Sequence, residues 1–118
     1  IKLDITKESL PDSDLMICRD CLIHLSFESI RLFFENFRKS KINYLLLTTY
    51  ELKDKTKKLD NLDIPDGEYR EIDLTRPPFL LPSPLHEILD KDELNKNSGF
   101  NCYLNLYSKS QINDLKFK

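Results

Sequence analysis

Two short, uninterrupted apolar runs stand on either side of one amphipathic helix pattern, and this arrangement constrains the fold more than any other feature of the chain. Asp14-Leu15-Met16-Ile17-Cys18 is an apolar run behind one acid, the pattern of a strand covered on both faces. Tyr44-Leu45-Leu46-Leu47-Thr48-Thr49 is a second run, too short for an independent helix. Between them Ile30, Phe33, Phe34 and Phe37 recur at three- and four-residue steps, leaving Glu28, Arg31, Glu35 and Arg38 largely on other faces. Ser26 is placed to cap this helix, and Leu25 and Ile30 have the spacing of a hydrophobic staple. Glu28 lies near the positive end of the helix dipole, and Arg38, Lys39 and Lys41 near the negative end. We expect the helix to begin after Ser26 and to stop near Ser40. Strand, helix, strand is the βαβ signature, so the two strands are expected to run parallel with a right-handed crossover.

A length of 118 residues leaves room for one small domain, residues 1–118. Ile1 to Thr6 alternates apolar and polar residues like the end of a strand, and a turn-rich stretch follows to Ser13. From Glu51 to Asp63 the chain is dense in Lys and Asp, which reads as an exposed charged loop, either a solvated connector or a lid. Pro65-Asp66-Gly67 signals a turn, and Tyr69 to Leu74 reads as briefly extended. Residues 76–84 hold four prolines, which remove donors and fix φ, so this segment is expected to wrap the surface in polyproline-like form. Leu85 to Leu89 and Asn101 to Tyr107 are two further strand-like runs around Asn97-Ser98-Gly99. They are expected to pair antiparallel, with a helical turn possible from Asp92 to Asn95.

Composition narrows the function classes. A hydrophobic fraction of 40% supports a packed core despite 32% charged residues. With 18 Lys plus Arg against 20 Asp plus Glu, the net charge of −2 gives no footprint for non-specific nucleic-acid binding. The 2 glycines, Gly67 and Gly99, stand far apart, so the chain holds no phosphate-cradling or dinucleotide-binding loop. No apolar run approaches the ~20 residues that span a bilayer, and no leader opens the chain. We therefore expect a cytoplasmic protein. Three cysteines, an odd number, point to reduced thiols rather than a disulfide framework. Ile1 opens the chain and Met16 is its only methionine, from which we expect a trimmed or incomplete sequence.

The densest group of potential ligands is Cys18-Arg19-Asp20-Cys21-Leu22-Ile23-His24. Cys-x-x-Cys spacing lets two thiolates approach one metal, His24 adds a nitrogen, and Cys102 or His86 offers a fourth ligand. Packed thiols and redox chemistry are the competing readings. In open α/β sheets the ligand crevice lies beyond the carboxyl ends of the strands. That gives Arg19 and Asp20, after the first run, and Thr48-Thr49-Tyr50, at the end of the second, a geometric claim on a site. The alternative for Arg19 and Asp20 is to pair with each other or cap nearby backbone. His24 can serve as a proton carrier or as a hydrogen-bonded structural residue. Arg70 with Tyr69 and Asp73 forms a surface ion pair, or turns Arg70 toward a substrate if that segment folds back over the crevice.

These residues, in order, carry a resemblance. Asp4-Ile5-Thr6, Leu10-Pro11, Asp14 to Asp20, Leu22 to Ser26, Tyr44 to Thr49, Gly67-Glu68-Tyr69-Arg70, Pro78-Phe79 and Pro82-Ser83-Pro84 resemble the C-terminal part of class I S-adenosylmethionine-dependent methyltransferases. The resemblance implies an α/β fold, a partial Rossmann-like sheet taken from the family order 3-2-1-4-5-7-6 with strand 7 antiparallel. Asp14 to Cys18 would be strand 4, Tyr44 to Thr49 strand 5, the last two runs strands 6 and 7, and Ile1 to Asp4 the end of strand 3. It implies S-adenosylmethionine as cofactor, with Asp4 and Ile5 beside the adenine and Cys18 and Arg19 beside the methionine and ribose portions. Asp20 and His24 become catalytic candidates, and Tyr50 and Arg70 candidates for the side of the methyl acceptor. Strands 1 and 2 and the glycine-rich cofactor loop would precede Ile1.

The implied activity is methyl transfer by the whole protein to an acceptor the sequence does not name, with in-line attack promoted by proximity and orientation. Strand 4 would then expose an apolar edge at residues 14–18, a template for a missing N-terminal half or a second copy. Two other classes stand beside this reading. One is a non-catalytic interaction module that pairs through the same edge, and the other is a small thiol or zinc site at Cys18, Cys21 and His24.

Overall fold

The computed structural model describes residues 3–90 and 98–116. Strand β1 (Leu15–Cys18) leads through a 3₁₀ turn at Leu22–His24 into helix α1 (Phe27–Lys39), and β2 (Tyr44–Leu52) follows. Strand β3 (His86–Leu89), strand β4 (Phe100–Ser108) and the short helix α2 (Lys109–Asn113) come later in the chain. Among the described residues four strands form one sheet in the order β1-β2-β4-β3. β1 and β2 are parallel, with Leu15 opposite Tyr44 and Cys18 opposite Leu47. β4 is antiparallel to both neighbours, with Leu47 opposite Asn105 and Ile88 opposite Leu104. The expected α/β class, the parallel pair around α1 and the antiparallel pairing of the last two runs are all present.

Helix α1 follows the local chemistry. The Ser26 Oγ accepts from the Ser29 N–H at 3.1 Å, satisfying one of the orphan donors of the first turn. At the other end Lys109 Nζ donates to the carbonyls of Phe37 (2.6 Å) and Ser40 (2.7 Å), placing a cation where the dipole is negative. Ile30, Phe33, Phe34 and Phe37 are fully buried. They share one core with Leu45, Leu47, Ile72, Leu74, Tyr107 and Ile112.

Strand parity sorts the sheet into two unlike faces. Cys18, Leu45, Leu47, Thr49, Asn105 and Tyr107 lie on the buried face. Leu15, Ile17, Tyr44, Leu46, Ile88, Leu104 and Leu106 share the other, where Leu15 is 41% and Ile17 60% exposed. Among the described residues no helix is long and apolar enough to cross a membrane.

Several expectations need correction. β2 runs on to Leu52, because Tyr50, Glu51 and Leu52 find partners in Cys102, Asn101 and Phe100, so the charged loop begins after it. Leu3 to Thr6 forms no strand. Instead Asp4 nucleates a turn, accepting from Thr6 N–H (2.9 Å) and Thr6 Oγ1 (2.6 Å) through its carboxylate and from Glu8 N–H (2.9 Å) through its carbonyl. The proline-rich stretch is no surface wrap. A cis peptide joins Pro77 to Pro78, the chain turns, and Phe79 and Leu81 are buried, with the Phe79 ring edge-on to Phe27 at 5.4 Å. Helix α2 was not foreseen; a capping box between Ser108 and Gln111 starts it. The helical turn anticipated at Asp92 to Asn95 lies outside the described residues.

Candidate functional site

Cys18, Arg19 and Asp20 at the end of β1 and Tyr50 in β2 lie at one end of the sheet, whereas Asp4, Ile5, His24 and Arg70 are placed elsewhere. Beyond Cys18, Asp20 takes a left-handed φ of 54°, and its N–H donates to Thr48 Oγ1 at 2.9 Å. This turn sends the Arg19 side chain across the sheet end to Asp90, just past β3. Arg19 Nε and Nη2 meet the two Asp90 carboxylate oxygens at 3.0 and 2.9 Å, a bidentate pair. Asp20 is a distant second partner at 4.0 Å. Asp90 N–H in turn donates to Cys102 O at 2.8 Å, tying the clamp to β4.

Tyr50 lies buried behind this clamp, opposite Cys102 in the register and 6.3 Å from the Phe100 ring in an edge-to-face contact. Burial, with the Cys102 and Tyr69 side chains next in order, holds the Tyr50 phenol above its ordinary range. Burial likewise pushes the Cys102 thiol up to about 11. Both groups are neutral at physiological pH. Tyr50 is thus a wall of the site, with its phenol turned to Cys102 and Tyr69 rather than displayed to an incoming acceptor.

Cys18 ends β1 and Cys21 stands just before the 3₁₀ turn, both as free thiols. Cys18 is 3% exposed and Cys21 half-buried. The neighbouring Cys18 thiol lowers the Cys21 thiol to about 7, and Cys21 together with burial raises Cys18. His24 does not join them. Its Nδ1 donates to Glu68 O at 3.0 Å, and its ring lies 5.7 Å from that of Tyr69. Among the described residues no group of three His, Cys, Asp or Glu side chains could hold a metal ion; His24 is engaged by Glu68 O and Cys102 lies opposite Tyr50.

Arg70 is the clearest departure from the expected site. It is 6% exposed, and its guanidinium donates to Leu62 O (2.9 Å), Leu22 O (3.2 Å), Ile23 O (3.0 Å) and Leu25 O (2.7 Å). It also sits 5.6 Å over the Phe27 ring. Its donors serve backbone carbonyls, so it braces the loop before α1 instead of facing a substrate. The anticipated ion pair with Asp73 is absent as well, because Asp73 Oδ1 accepts from Thr75.

Asp4 and Ile5 stand apart from the strand ends. Asn36 of α1 donates to Ile5 O (2.8 Å) and Glu8 O (2.7 Å), fixing this turn against the helix, while the Asp4 carboxylate is occupied by Thr6 and held below its ordinary range by those bonds. The four residues that the resemblance assigns to S-adenosylmethionine therefore do not converge: Cys18 and Arg19 flank one end of the sheet, with Arg19 bound to Asp90, and Asp4 and Ile5 pack along α1. These residues alone do not fit the cofactor. Asp90 and Cys102 are the site residues that sequence reasoning missed as partners of Arg19 and Tyr50. For Asp90 a signal existed, since an acid directly after an apolar run sits where a strand ends. The chain matches no protein-family model, no curated protein and no solved structure.

Proposed function

We propose that the chain is the C-terminal portion of a class I S-adenosylmethionine-dependent methyltransferase and contributes the part of its sheet next to the methyl acceptor. The observation that carries this reading is the strand order. A parallel pair followed by an inserted antiparallel strand, β1-β2-β4-β3, is the succession 4-5-7-6 that the resemblance implies. In this reading the cofactor is held mainly by residues on a half that pairs with the free edge of β1. The loop of Arg19 and Asp20, pinned by Thr48 and Asp90, gives the acceptor side a rigid rim, which serves proximity and orientation.

Calorimetric titration with S-adenosylhomocysteine of the protein translated from its complete reading frame tests the proposal. Saturable one-site binding is expected, with markedly weaker or no heat from residues 1–118 alone. Absence of binding by the complete protein, shown to be folded, overturns it.

A second reading, an interaction module, is favoured by one observation: β1 is an edge strand whose Leu15 and Ile17 side chains are exposed. It expects a dimer in sedimentation that dissociates on dilution and is abolished by Ile17→Lys. A concentration-independent monomer excludes self-pairing.

A further inference from the structure

The outer edge of β1 is less open than its place at the end of the sheet suggests. Tyr44 N–H donates to Asp14 O at 3.0 Å, so the alternation of the strand turns the N–H and C=O of Leu15 and Ile17 away from β2. An added strand would pair with these groups. Those of Leu15 are already taken. Ser13 Oγ accepts from Leu15 N–H at 3.3 Å and donates to Leu15 O at 2.9 Å, so one hydroxyl answers both.

The same device recurs on β4. Lys53 N–H donates to Gly99 O, which turns the Phe100 groups toward the β3 side, short of the stretch from Tyr103 to Leu106 where β3 is paired. There Ser98 Oγ accepts from Phe100 N–H and donates to Phe100 O, both at 3.2 Å. Each serine stands two residues before the first outward-facing backbone pair of its strand.

We propose that Ser13 guards the β1 edge against a second copy of this chain. The strand ladder that a two-fold axis permits is antiparallel. In the register centred on Met16, Leu15 faces Ile17 of the second copy and Ile17 faces its Leu15, and each facing pair exchanges both of its hydrogen bonds. With Ser13 on Leu15 both pairs are blocked, and a single exchange between the two Ile17 residues is all that β1 retains. The side chains argue for a second copy as the occupant. Leu15 and Ile17 share one face and are 41% and 60% exposed, and this register sets them against the same two residues, apolar against apolar with no charge in the pair. The guard rests on neither reading above. It sets a condition on both, since any strand that adds to β1 has to displace this hydroxyl from Leu15.

Sedimentation velocity of the 118-residue chain beside its Ser13→Ala and Ser13→Thr variants tests the guard. The unaltered chain and Ser13→Thr, which keeps the hydroxyl, are expected to stay monomeric at concentrations where Ser13→Ala dimerises, with association tightened roughly tenfold by the freed hydrogen bonds. Adding Ile17→Lys to Ser13→Ala is expected to restore the monomer, because it places a charge in the apolar pair. Equal sedimentation of the unaltered chain and Ser13→Ala at every concentration overturns the proposal. So does a dimer of Ser13→Ala that survives Ile17→Lys, or a Ser13→Thr chain that dimerises as readily as Ser13→Ala. If Ser13→Ala precipitates, the double variant decides: a soluble monomer, folded by circular dichroism, supports the guard, and continued precipitation overturns it.

Discussion

Residues 15–52 and residues 53–81 both send side chains into the core, by opposite means. The first stretch is regular. Its backbone donors and acceptors are consumed by α1 and by the β1–β2 and β2–β4 ladders, which leaves side chains free to be apolar. The second has no helix or strand, yet it buries Ile64, Ile72, Leu74, Phe79 and Leu81. Its backbone needs other partners, and long polar side chains provide them. Asn61 donates to Asp73 O (2.8 Å) and Pro77 O (2.9 Å) and accepts from Asp73 N–H (2.9 Å). Thr49 Oγ1 bridges Ile72 O (3.3 Å) and Leu74 N–H (2.9 Å), and Arg76 Nε reaches Leu59 O (3.1 Å). Arg70 serves one carbonyl of this stretch, that of Leu62, and ties it to three carbonyls of the loop before α1, those of Leu22, Ile23 and Leu25. An irregular segment can enter a core when a few polar side chains replace the missing ladder, and stability then concentrates in those few residues.

The largest expected effect follows from Arg70. Arg70→Ala leaves four carbonyls without their donor in a buried setting and should cost about 3–5 kcal/mol, close to the whole stability of a small domain. Urea unfolding measures it, and hydrogen exchange should show the seam between residues 22–25 and 62–70 opening before the β2–β4 ladder. Uniform loss of protection would break the distinction between the two regions. Asn61→Ala should cost about 2 kcal/mol, with one donor and two acceptors orphaned, and should again loosen only the irregular segment.

The smallest effect lies at the seam. Asp66 accepts from Ser26 N–H (2.8 Å) and Ser29 Oγ (2.9 Å) at the start of α1, which holds its carboxylate below the ordinary range. A lowered folded-state value means that this stability is present above the ordinary carboxylate range and is lost as pH falls through the folded value. Asp66→Asn should therefore lower stability slightly near neutrality and converge with the wild type below about pH 4, flattening the acid limb, and the difference should shrink at high salt. An unaltered acid limb would mean that the loop does not cap the helix in solution.

The regular half was legible because its signals are local. Ser26, the aromatic repeat of α1 and the runs of β1, β2 and β4 declare themselves within a few residues, and turn chemistry at Pro65-Asp66-Gly67 did the same, with Gly67 at φ of 94°. The site was legible only in position. Cys18, Arg19 and Asp20 follow from the end of β1 and Tyr50 from β2, because the strand runs are local. Their partners were not readable, because Asp90 lies 71 residues from Arg19 and Cys102 meets Tyr50 only through the strand register.

Arg70 shows where sequence reading stops. An arginine beside Tyr69 and Asp73 looks like a surface charge, and nothing nearby in the chain announces the carbonyls of Leu22, Ile23 and Leu25 that take its protons. Likewise the spacing of Cys18 and Cys21 permits a metal, a disulfide or two idle thiols. The engagement of His24 with Glu68 O takes the nearest nitrogen ligand away from them. The sequence by itself determined which segments become helix and strand, since periodicity and capping act over a turn or two. Tertiary structure alone decided which polar groups are consumed in holding the fold and which are left to act, because a buried polar group takes whatever partner the packing brings within about 3 Å, whatever its distance along the chain.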